Sequence, residues 1–480
     1  MTKKAEKGVN VKKSENFSEW YVQAIQKADV TEYTNVSGCM VIRPYAYEMW
    51  EKVQEVFNKE LKKLGVKNAY FPMLIPEHLL NKEKEHVKGF NPEVAWVTHA
   101  GSSKLAERLA IRPTSETVMY DVYRKWVRSH NDLPILINQW CNILRWEFKH
   151  PTPFLRSREF LWQEGHTAHA TEKEADKLAM DVLKAYVRVF EGLYAIPVLQ
   201  GWKSQKEKFA GAVYTVSVET LLPDGKAIQG GTSHGLGQNF SKAFDIKFTD
   251  QNEKTQFAWQ TSWGISTRGL GMMFAIHGDD KGLIIPPKIA PIQVVIVPII
   301  FEDSKKKVLK KALDLKKSLK GVSVELDTRE NYSPGWKFNQ WEMKGVPLRI
   351  EVGPKDIEKK QVVIARRDTG EKIFVKEKDV NKKVKELLVD IQNNLFKKAK
   401  KFIDDRTVKT DDFDAAKSAI KAGKIVFMPW CGGVECEEWI KDKTGGAKSL
   451  NIPFNQKVPK KKCAQCGEKA KFYAYFGKSY

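Results

Sequence analysis

The sequence predicts an α+β protein in which a large antiparallel sheet with helices is followed by a compact α/β domain and a small α+β domain. Three observations predict this division. Before residue 286, strand-like segments follow one another through short connections, which is typical of an antiparallel sheet with helices on it. After Pro286, Pro287 and Pro291 the order becomes strand, helix, strand. Beyond Phe402 the elements become short and surround four of the six cysteines.

Length and composition limit the class of protein. The chain has 480 residues, of which 42% are hydrophobic and 11% aromatic, so it can form several full-sized cores. Its longest apolar stretch is far shorter than the roughly 18–20 residues of a membrane span, and the lysine-rich start has no signal-peptide core. We therefore expect a soluble, cytoplasmic protein without a membrane partner. The expected units are a lysine-rich extension (1–16), the sheet domain (17–288), the α/β domain (289–400) and the cysteine-bearing domain (401–480).

The elements of the sheet domain follow from hydrophobic periodicity and turn signals. Helical spacing predicts a helix over Ala46–Leu64, and a Thr171–Glu174 capping box predicts a second helix that runs to about Gly192. Strands are predicted over Val66–Ile75, Ile135–Glu147, Phe154–Trp162, Gly211–Leu222, Phe240–Phe248 and Phe257–Trp263.

The α/β domain begins with Gln293–Ile300, a continuous apolar run typical of a strand buried on both faces. The next segment carries an apolar stripe at helical spacing, formed by Val308, Ala312, Leu315 and Leu319. Further strands are predicted over Val322–Leu326, Pro347–Val352 and Gln361–Ala365.

The charge is unevenly distributed along the chain. The net charge is +22, and +16 of it falls after residue 290. Such an excess indicates either a polyanionic partner that docks along this half or a merely solubilising surface, and charge alone does not decide between them.

Four cysteines form two short-spaced pairs, Cys431-x4-Cys436 and Cys463-x2-Cys466. Two such pairs can offer four thiolates to a tetrahedral Zn²⁺ ion, which would be structural because no coordination position remains open. The alternative is two incidental pairs of buried thiols. Cys39 and Cys141 stand alone and are expected to be small core residues.

Several common catalytic signatures are missing from the sequence. It contains no G-x-x-x-x-G-K-[ST], no strand-linked G-x-G-x-x-G, no H-E-x-x-H and no G-x-S-x-G. A P-loop ATPase, a Rossmann dehydrogenase, a zincin and an α/β-hydrolase are therefore disfavoured. The glycine-rich run from Gly230 to Gly237, taken alone, favours a tight turn.

The neighbouring motifs carry a family resemblance. Arg145-Trp-Glu147, the return through Phe154–His166, and Ser262–Gly271 resemble motifs 2 and 3 of class II aminoacyl-tRNA synthetases, while Gly38–Pro76 resembles the dimer-forming motif 1. Three further segments resemble the archaeal/eukaryotic-type prolyl-tRNA synthetase family in particular, namely Arg112–Glu116, Phe209–Thr215 and Gly230–His234. Members of this type have a zinc-binding C-terminal domain. The resemblance covers about Phe17 to Tyr480.

The resemblance implies a homodimeric proline–tRNA ligase. Such an enzyme activates L-proline with ATP and Mg²⁺ to prolyl-adenylate, releases diphosphate, and transfers the prolyl group to the 3′-terminal adenosine of tRNA(Pro). Two alternatives stay open: a catalytically silent paralogue that binds RNA, and another class IIa synthetase such as the threonyl type. The threonyl type would require zinc ligands inside the catalytic core, where the sequence has no cysteine cluster.

Selection of proline needs two acceptors for its secondary ammonium. Thr114 and Glu116, two apart in an expected extended segment, would point the same way, and the resemblance assigns them this role. It also implies that Trp162 and His234 enclose the pyrrolidine ring of proline. By the same resemblance, Arg145 bridges the proline carboxylate and the α-phosphate of ATP. Without the motif, His234 would be a satisfied turn histidine, and Arg145 could instead form a core ion pair with Glu147.

ATP binding is implied for a second set of residues. Activation needs charge neutralisation and alignment rather than a protein nucleophile. The resemblance makes Arg145 and Arg268 the catalytic residues. It assigns adenine and phosphate contacts to Arg145, Glu147, Arg156, Ser157, Phe160, Gln229, Thr232, Ser266 and Arg268.

Residues 291–400 resemble the anticodon-binding domain of class IIa synthetases. The candidates for reading anticodon bases are Arg349, Glu351, Lys355 and Arg366, and each could instead be a solvated surface charge. The aromatic-rich end of the chain indicates a docked tail, and the resemblance implies that Tyr480 docks toward the entrance of the catalytic site. The alternative is that its neighbours complete the small core and Tyr480 is loose.

Overall fold

The structure is a computed structural model that describes residues 8–86, 93–147 and 150–480. Residues 1–7 of the expected lysine-rich extension lie outside the described residues. In the part of the chain that is described, no helix combines the length and the apolarity that crossing a membrane requires.

The first 290 residues form most of a large antiparallel sheet and the helices around it. The helices are α1 (Phe17–Lys27), α2 (Pro44–Lys63), α3 (Glu77–His86), α4 (Glu116–Trp126), α5 (Glu172–Val187), α6 (Asn239–Phe244) and α7 (Arg268–His277). The strands are β1 (Thr31–Tyr33), β2 (Met40–Ile42), β3 (Lys67–Asn68), β4 (Leu74–Pro76), β5 (Trp96–Ala100), β6 (Ser103–Ile111), β7 (Ile135–Leu144), β8 (Glu159–His169), β9 (Leu199–Trp202), β10 (Tyr214–Leu221), β11 (Ala227–Gly237), β12 (Lys247–Thr249), β13 (Thr255–Phe257) and β14 (Trp259–Ser266).

The strands of the main sheet lie in the order β9-β10-β11-β14-β8-β7-β3. All of these pairs are antiparallel except β3 with β7, so the predicted antiparallel sheet is confirmed. The predicted capping box is also confirmed, because Thr171 accepts from the Glu174 N–H and the Glu174 carboxylate accepts from the Thr171 N–H. Helix α5 continues into a π-helical turn over Arg188–Leu193 and packs on β11 and β14.

Three of the predicted strands are wrong or incomplete, and Phe154–Trp162 forms a strand only from Glu159, where β8 begins. Phe240–Phe248 forms α6 followed by the short β12, because Phe240 and Phe244 lie one helical turn apart and are both buried. The helix ends where Asp245 adopts a left-handed conformation at φ 60°. Val66–Ile75 is divided between β3 and β4, with irregular chain between them.

The glycine-rich run is a strand and not a turn. It forms most of β11, where glycine lets neighbouring side chains approach the sheet closely. A Cβ atom on Gly235 would lie 2.3 Å from the Tyr214 ring, and one on Gly231 would lie 2.5 Å from Ile265. Packing in the sheet, rather than a turn, therefore explains these glycines.

The second domain confirms the predicted β-α-β order. Its strands are β15 (Val294–Pro298), β16 (Val324–Leu326), β17 (Leu348–Val352), β18 (Gln361–Arg366) and β19 (Lys372–Lys376). Its helices are α8 (Lys305–Ser318), α9 (Pro334–Met343), α10 (Pro354–Glu358) and α11 (Val380–Asp405). In the sheet order β16-β15-β17-β18-β19, the first three strands are parallel and the others antiparallel, and every residue of β15 is buried.

The third domain is small and is joined to the first sheet. It contains β20 (Thr407–Lys409), α12 (Phe413–Lys421), β21 (Ile425–Trp430), α13 (Val434–Lys443), β22 (Ala447–Ser449), β23 (Ile452–Pro453) and β24 (Phe472–Lys478). Its own sheet has the order β20-β21-β24-β22. Strand β23 instead pairs with β9, so the third domain supplies the eighth, edge strand of the main sheet.

Candidate active site

A cavity of about 290 Å³ lies against the face of the main sheet formed by β8, β11 and β14. It brings together ten of the residues expected to bind proline or ATP: Thr114, Glu116, Arg145, Phe160, Trp162, Gln229, Thr232, His234, Ser266 and Arg268. The antiparallel register explains part of this arrangement, because Ser266 on β14 lies opposite Trp162 on β8. Residues from distant parts of the chain therefore meet on one face of one sheet.

Two arginines line this cavity. Arg145 directly follows β7, and its Nε donates to the Pro113 carbonyl oxygen at 3.0 Å. Arg268 begins α7, and its Nε donates to the Leu155 carbonyl oxygen at 3.1 Å. Glu147 is exposed, so Arg145 and Glu147 do not form the core ion pair that the sequence left open.

The electrostatics of the two arginines favour an anionic ligand. Burial lowers the pKa of the Arg268 guanidinium to about 10, and the nearby charges of Arg145 and Arg156 lower it too. Burial likewise lowers the pKa of Arg145. A partly buried cation that lies near another cation is stabilised when a carboxylate or phosphate enters the site.

The rings of Phe160 and Trp162 lie beside Arg145. The Arg145 Cζ is 5.7 Å from the centre of the Phe160 ring and 5.4 Å from that of the Trp162 ring. Trp162 is itself held by its Nε1, which donates to the Cys141 sulfur at 3.3 Å. The guanidinium is thus fixed between two aromatic groups and a backbone carbonyl.

Thr114 and Glu116 converge, although not as the sequence predicted. Glu116 is the first residue of α4 and Ser115 is its N-cap, so the expected extended segment is wrong. The Thr114 hydroxyl donates to the Glu116 carboxylate, and both side chains are buried at the cavity. The helix start therefore brings the two oxygen-bearing groups together by a different geometry.

A buried network supports the floor of the cavity. Glu164 accepts from the Gln139 amide at 3.0 Å and the Ser115 N–H at 3.2 Å, and it lies 3.1 Å from His166 Nε2. The other imidazole nitrogen of His166 lies 3.1 Å from the Tyr120 hydroxyl. Burial opposes the charged form of His166, but the hydrogen bond to Glu164 and the charges of Glu116 and Glu164 together raise the pKa of His166. The contact with His166 likewise lowers the pKa of the Glu164 carboxyl, so each group of the pair favours the charged form of the other.

His234 is neutral in the structure and lies on β11, not in the turn that the sequence alone favoured. Burial, followed by the charge of His166, lowers its pKa to about 3. Its Nδ1 is 2.8 Å from the Thr215 hydroxyl, and its ring centre is 4.7 Å from that of Phe209. A neutral imidazole ring packed at a tilt against an aromatic ring forms a mostly apolar wall.

The sequence analysis did not select all of the residues that line the cavity. It missed Glu164, His166, Glu207 and Thr215. The first two had a visible signal, because Phe160, Trp162, Glu164 and His166 alternate along β8 and so share one face. Glu207 lies between β9 and β10, outside any periodic segment, and pairs with Lys448 of the third domain at 3.2 Å.

Three residues expected at the ATP site lie in the connection between β7 and β8. Glu147 and Arg156 are exposed, and Ser157 is buried. The backbone of Arg156 pairs with that of Thr152 through two hydrogen bonds of 2.8 and 2.9 Å, so this part of the connection is a tight hairpin. The structure places none of the three among the cavity-lining residues, and residues 148–149 are outside the described chain.

Three of the four anticodon candidates are buried in ion pairs and are not the solvated surface charges of the alternative interpretation. Arg349 Nη2 lies 2.9 Å from Glu351, and Arg366 Nη2 lies 2.9 Å from Asp368. Lys355, in the first turn of α10, is exposed.

The four clustered cysteines lie close enough together to bind a metal ion. The sulfur atoms of Cys436 and Cys463 are 3.7 Å apart, those of Cys431 and Cys466 are 3.6 Å apart, and all four lie within 4.8 Å of one another. Four thiolates placed at about 2.3 Å around a tetrahedral ion are about 3.8 Å apart, so the donor set fits. Cys466 is exposed, which argues against incidental buried thiols.

The other two cysteines are not the core residues that the sequence predicted. Cys39 and Cys141 are only partly buried, so that expectation is wrong. Cys141 lies beside the cavity because β7 pairs there with β8 and places it opposite Trp162.

The final residues of the chain are docked on the first domain, so the alternative of a loose Tyr480 is wrong. The Tyr480 N–H donates to the Ala227 carbonyl oxygen at 3.1 Å, and its hydroxyl donates to Asp224 at 2.9 Å. The Nζ of Lys226 lies 4.6 Å from the centre of the Tyr480 ring. Ala227 begins β11, the strand that carries Gln229, Thr232 and His234 into the cavity.

Comparison with known proteins gives matches in all three domains. The family model described as tRNA synthetase class II core domain (G, H, P, S and T) matches residues 96–277, the anticodon binding domain matches 293–387, and Prolyl-tRNA synthetase, C-terminal, matches 413–480.

Curated relatives match nearly the whole chain. Proline–tRNA ligase 2 of Bacillus thuringiensis subsp. konkukian is 51% identical, with 98% of each chain covered. Cytoplasmic proline–tRNA ligase of Arabidopsis thaliana is 48% identical over 98% of this chain and 91% of its own length. The chain spans only about a third of the bifunctional glutamate/proline–tRNA ligase of Cricetulus griseus, to which it is 50% identical. The chain therefore belongs to the prolyl-tRNA synthetase family of class II aminoacyl-tRNA synthetases.

Proposed function

We propose that the protein is a proline–tRNA ligase, which activates L-proline with ATP to prolyl-adenylate and transfers the prolyl group to the 3′-terminal adenosine of tRNA(Pro). The observation that carries this proposal is the placement of two partly buried arginines, Arg145 and Arg268, in one cavity with the Thr114–Glu116 pair. The site offers positive charge for a carboxylate and phosphates, and oxygen acceptors for an ammonium group.

The proline subsite comprises Thr114, Glu116, Arg145, Trp162 and His234. The Glu116 carboxylate and the Thr114 hydroxyl oxygen accept hydrogen bonds from the two N–H donors of the proline nitrogen. Arg145 binds the proline carboxylate and aligns it with the α-phosphorus, which this carboxylate attacks as diphosphate leaves. Neutral His234 and Trp162 enclose the ring without adding a competing charge.

The ATP subsite lies along Phe160, Gln229, Thr232, Ser266 and Arg268. Phe160 stacks on the adenine, and Arg268 stabilises the charge that develops on the departing diphosphate. Mg²⁺ enters with ATP as part of the substrate. Glu147, Arg156 and Ser157 contact the nucleotide from the connection between β7 and β8, and support for this placement is that Arg156 lies near enough to Arg268 to lower its pKa.

The four cysteines, Cys431, Cys436, Cys463 and Cys466, bind a structural Zn²⁺ ion. Four protein thiolates leave no coordination position for a substrate. The ion would tie the loop before α13 to the loop before β24, and so hold the third domain together.

The protein acts as a cytoplasmic homodimer that binds tRNA(Pro). Support for a dimer comes from exposed apolar side chains in β1, β2 and α2, namely Tyr33, Val41 and Tyr47, which a second copy would cover. The units are residues 1–16, 17–288, 289–400 and 401–480. In the anticodon-binding unit Lys355 is accessible, whereas Arg349, Glu351 and Arg366 shape the surface through their ion pairs.

Proline-dependent exchange between ATP and pyrophosphate tests the proposal. We expect rapid exchange with proline and none above background with threonine, which separates this function from the threonyl type. Absence of exchange with proline would contradict the enzyme assignment and would favour a catalytically silent paralogue.

A further inference from the structure

The connection between β9 and β10 forms part of the lining of the candidate active site. It comprises residues 203–213, and two of its side chains, Glu207 and Phe209, line the cavity. The ring centre of Phe209 is 4.7 Å from that of His234, which belongs to the proposed proline subsite. The position of this connection therefore affects the shape of the cavity on the side of the proline ring.

Hydrogen bonds within the first domain order the backbone of the connection. The Phe209 N–H donates to the Thr215 hydroxyl oxygen at 2.9 Å, and the same hydroxyl group lies 2.8 Å from His234 Nδ1. The Glu207 N–H donates to the Ser204 hydroxyl oxygen at 3.1 Å. These bonds hold backbone groups, whereas the partner of the Glu207 carboxylate comes from the third domain.

That partner is Lys448 of β22. Its Nζ lies 3.2 Å from Glu207 Oε2, and the side chains of Lys448 and Glu207 are 40% and 18% exposed. In the described part of the chain, Lys448 is the one cation that forms an ion pair with Glu207. A mostly buried carboxylate at the cavity thus obtains its countercharge from another domain.

The backbone that carries Lys448 is fixed on two sides. Strand β22 pairs with β24, where Lys448 lies opposite Gly477. The next residue, Ser449, is buried, and its N–H and hydroxyl group donate to the carboxylate of buried Glu437 in α13 at 3.2 and 2.6 Å. The Lys448 side chain therefore starts from an ordered position.

Two further contacts join the connection to the same part of the third domain. The Lys203 ammonium donates to the Leu450 carbonyl oxygen at 2.8 Å, and the Nζ of Lys206 lies 3.2 Å from Glu438. The pairing of β23 with β9 lies directly before the connection. The third domain thus holds the connection at several points, and at Lys448 it reaches a side chain that lines the cavity.

We propose that Lys448 is a positioning residue for proline binding, which holds the Glu207 carboxylate, and with it the connection of residues 203–213, against the proline subsite. This inference deepens the proposed function and rests on it, since that function makes proline the ligand of the cavity. The third domain thereby contributes to proline affinity through a side chain that does not touch the substrate.

The test measures the KM values for proline and for ATP in pyrophosphate exchange by the full-length protein. Lys448→Met removes the charge but keeps an unbranched side chain, and it should raise the KM for proline about 2- to 5-fold, the effect of one partly exposed ion pair. The KM for ATP should stay unchanged. Lys448→Glu, which places a like charge beside Glu207, should raise the KM for proline further, whereas Lys448→Arg should stay close to the parent protein.

A double substitution tests whether Lys448 acts through Glu207. In a protein that already carries Glu207→Gln, Lys448→Met should cause no further rise in the KM for proline, because the ion pair is already lost. Residues in contact give such non-additive effects. Independent, multiplicative effects of the two substitutions would overturn the inference.

Lys417→Met is the matched control. Lys417 pairs with Asp414 at 2.6 Å within α12, and its side chain is 38% exposed against 40% for Lys448. Its loss should leave both KM values unchanged. The inference is overturned if Lys448→Met keeps the parent KM for proline, if it raises the KM for ATP as much as that for proline, or if Lys417→Met has the same effect.

Exchange by the parent protein separates this inference from the proposed function. A parent protein without proline-dependent exchange would refute the proposed function. Normal exchange by the parent protein, together with an unchanged KM for proline in Lys448→Met, would refute the role of Lys448 alone. A lower melting temperature of Lys448→Met without a rise in this KM would likewise refute that role, because it would assign the ion pair to stability only.

Discussion

The side-chain ammonium of Lys203 donates a hydrogen bond to the backbone carbonyl oxygen of Leu450, with an N···O distance of 2.8 Å. The same ammonium lies 2.9 Å from Glu219 on β10, and the two side chains are only 7% and 3% exposed. The buried ammonium of Lys203, at the edge of the main sheet, is therefore hydrogen-bonded partly by a backbone group of the third domain. Together with the β23–β9 pairing, this contact makes the third domain part of the catalytic unit.

The first prediction concerns this buried pair. Lys203→Met should lower the free energy of unfolding by about 3–5 kcal/mol, because Glu219 would remain buried without its countercharge. Urea denaturation followed by fluorescence measures the change. Lys206→Met is the control, since Lys206 pairs with a Glu438 side chain that is 60% exposed, and its loss should cost less than about 1 kcal/mol. Equal effects of the two substitutions would contradict the role given to Lys203.

The sequence predicted those parts of the fold that local patterns determine. The capped helix α5, the antiparallel sheet and the buried strand β15 all follow from periodicity and capping residues. Phe240–Phe248 was misassigned because alternating and helical spacing are hard to distinguish in a short apolar run. The glycines of β11 could not be interpreted from the sequence, because the neighbours they accommodate, such as Tyr214, lie on other strands.

The site was predictable where motifs carried it. The resemblance of the motifs to those of a known family identified ten lining residues, and alternation along β8 could have added Glu164 and His166. The Thr114–Glu116 contact required knowledge that α4 begins at Glu116. The ion pairs that bury Arg349 and Arg366 depend on tertiary packing, which residue types alone do not reveal.

The second prediction concerns Arg145. Arg145→Ala should reduce proline-dependent pyrophosphate exchange by several hundredfold or more, since loss of a bidentate charged contact in a closed site costs roughly 3–5 kcal/mol. Arg145→Lys keeps the charge but not the planar fork, and should recover only part of the rate. The exposed Arg124 provides the control: Arg124→Ala should retain full exchange. Near-normal exchange in Arg145→Ala would show that Arg145 is misassigned.

The third prediction concerns acid stability. Burial lowers the pKa of His277, whose Nε2 lies 2.8 Å from the Tyr194 carbonyl oxygen, to about 4. Below pH 6.5 the unfolded chain takes up a proton that folded His277 does not bind until about pH 4. Between pH 6.5 and about pH 4, the free energy of unfolding should therefore decrease as the pH is lowered, by up to about 1.4 kcal/mol per pH unit for this group. Above pH 6.5 the group contributes no pH dependence.

His277→Gln tests this assignment, because glutamine can still donate to Tyr194 but does not titrate. The melting temperature of the variant should fall less steeply from pH 6.5 to pH 4.5 than that of the parent protein. The exposed His99 supplies the control, and His99→Gln should leave the slope unchanged. Identical slopes for the parent protein and His277→Gln would disprove the account.

The fourth prediction concerns the cysteine site. The purified protein should contain about one zinc ion per chain, and Cys463→Ser should lose it, because replacing one thiolate breaks the tetrahedral set. Zinc is measured by atomic emission after dialysis. Cys39→Ser, which changes a cysteine outside the cluster, should retain the metal. Full zinc content in Cys463→Ser would rule out the four-cysteine site.

The last prediction concerns Tyr480 and the strand that it supports. Deleting Ser479 and Tyr480 removes the hydrogen bonds to Ala227 and Asp224 and uncovers the start of β11. Two residues further on, Gln229 lines the cavity, so looser positioning of this strand should slow activation. We expect proline-dependent exchange to fall about 5- to 30-fold, which corresponds to one or two hydrogen bonds of about 1 kcal/mol each.

Zinc content and melting temperature should stay nearly unchanged in the truncated protein, because the cysteine cluster and the strand pairing of β24 remain. Tyr480→Phe removes only the contact with Asp224 and should lose less activity than the deletion. Activation at the full rate after deletion would mean that the docked tail only covers the surface of the first domain. A parallel loss of zinc would instead place its contribution in the third domain rather than in β11.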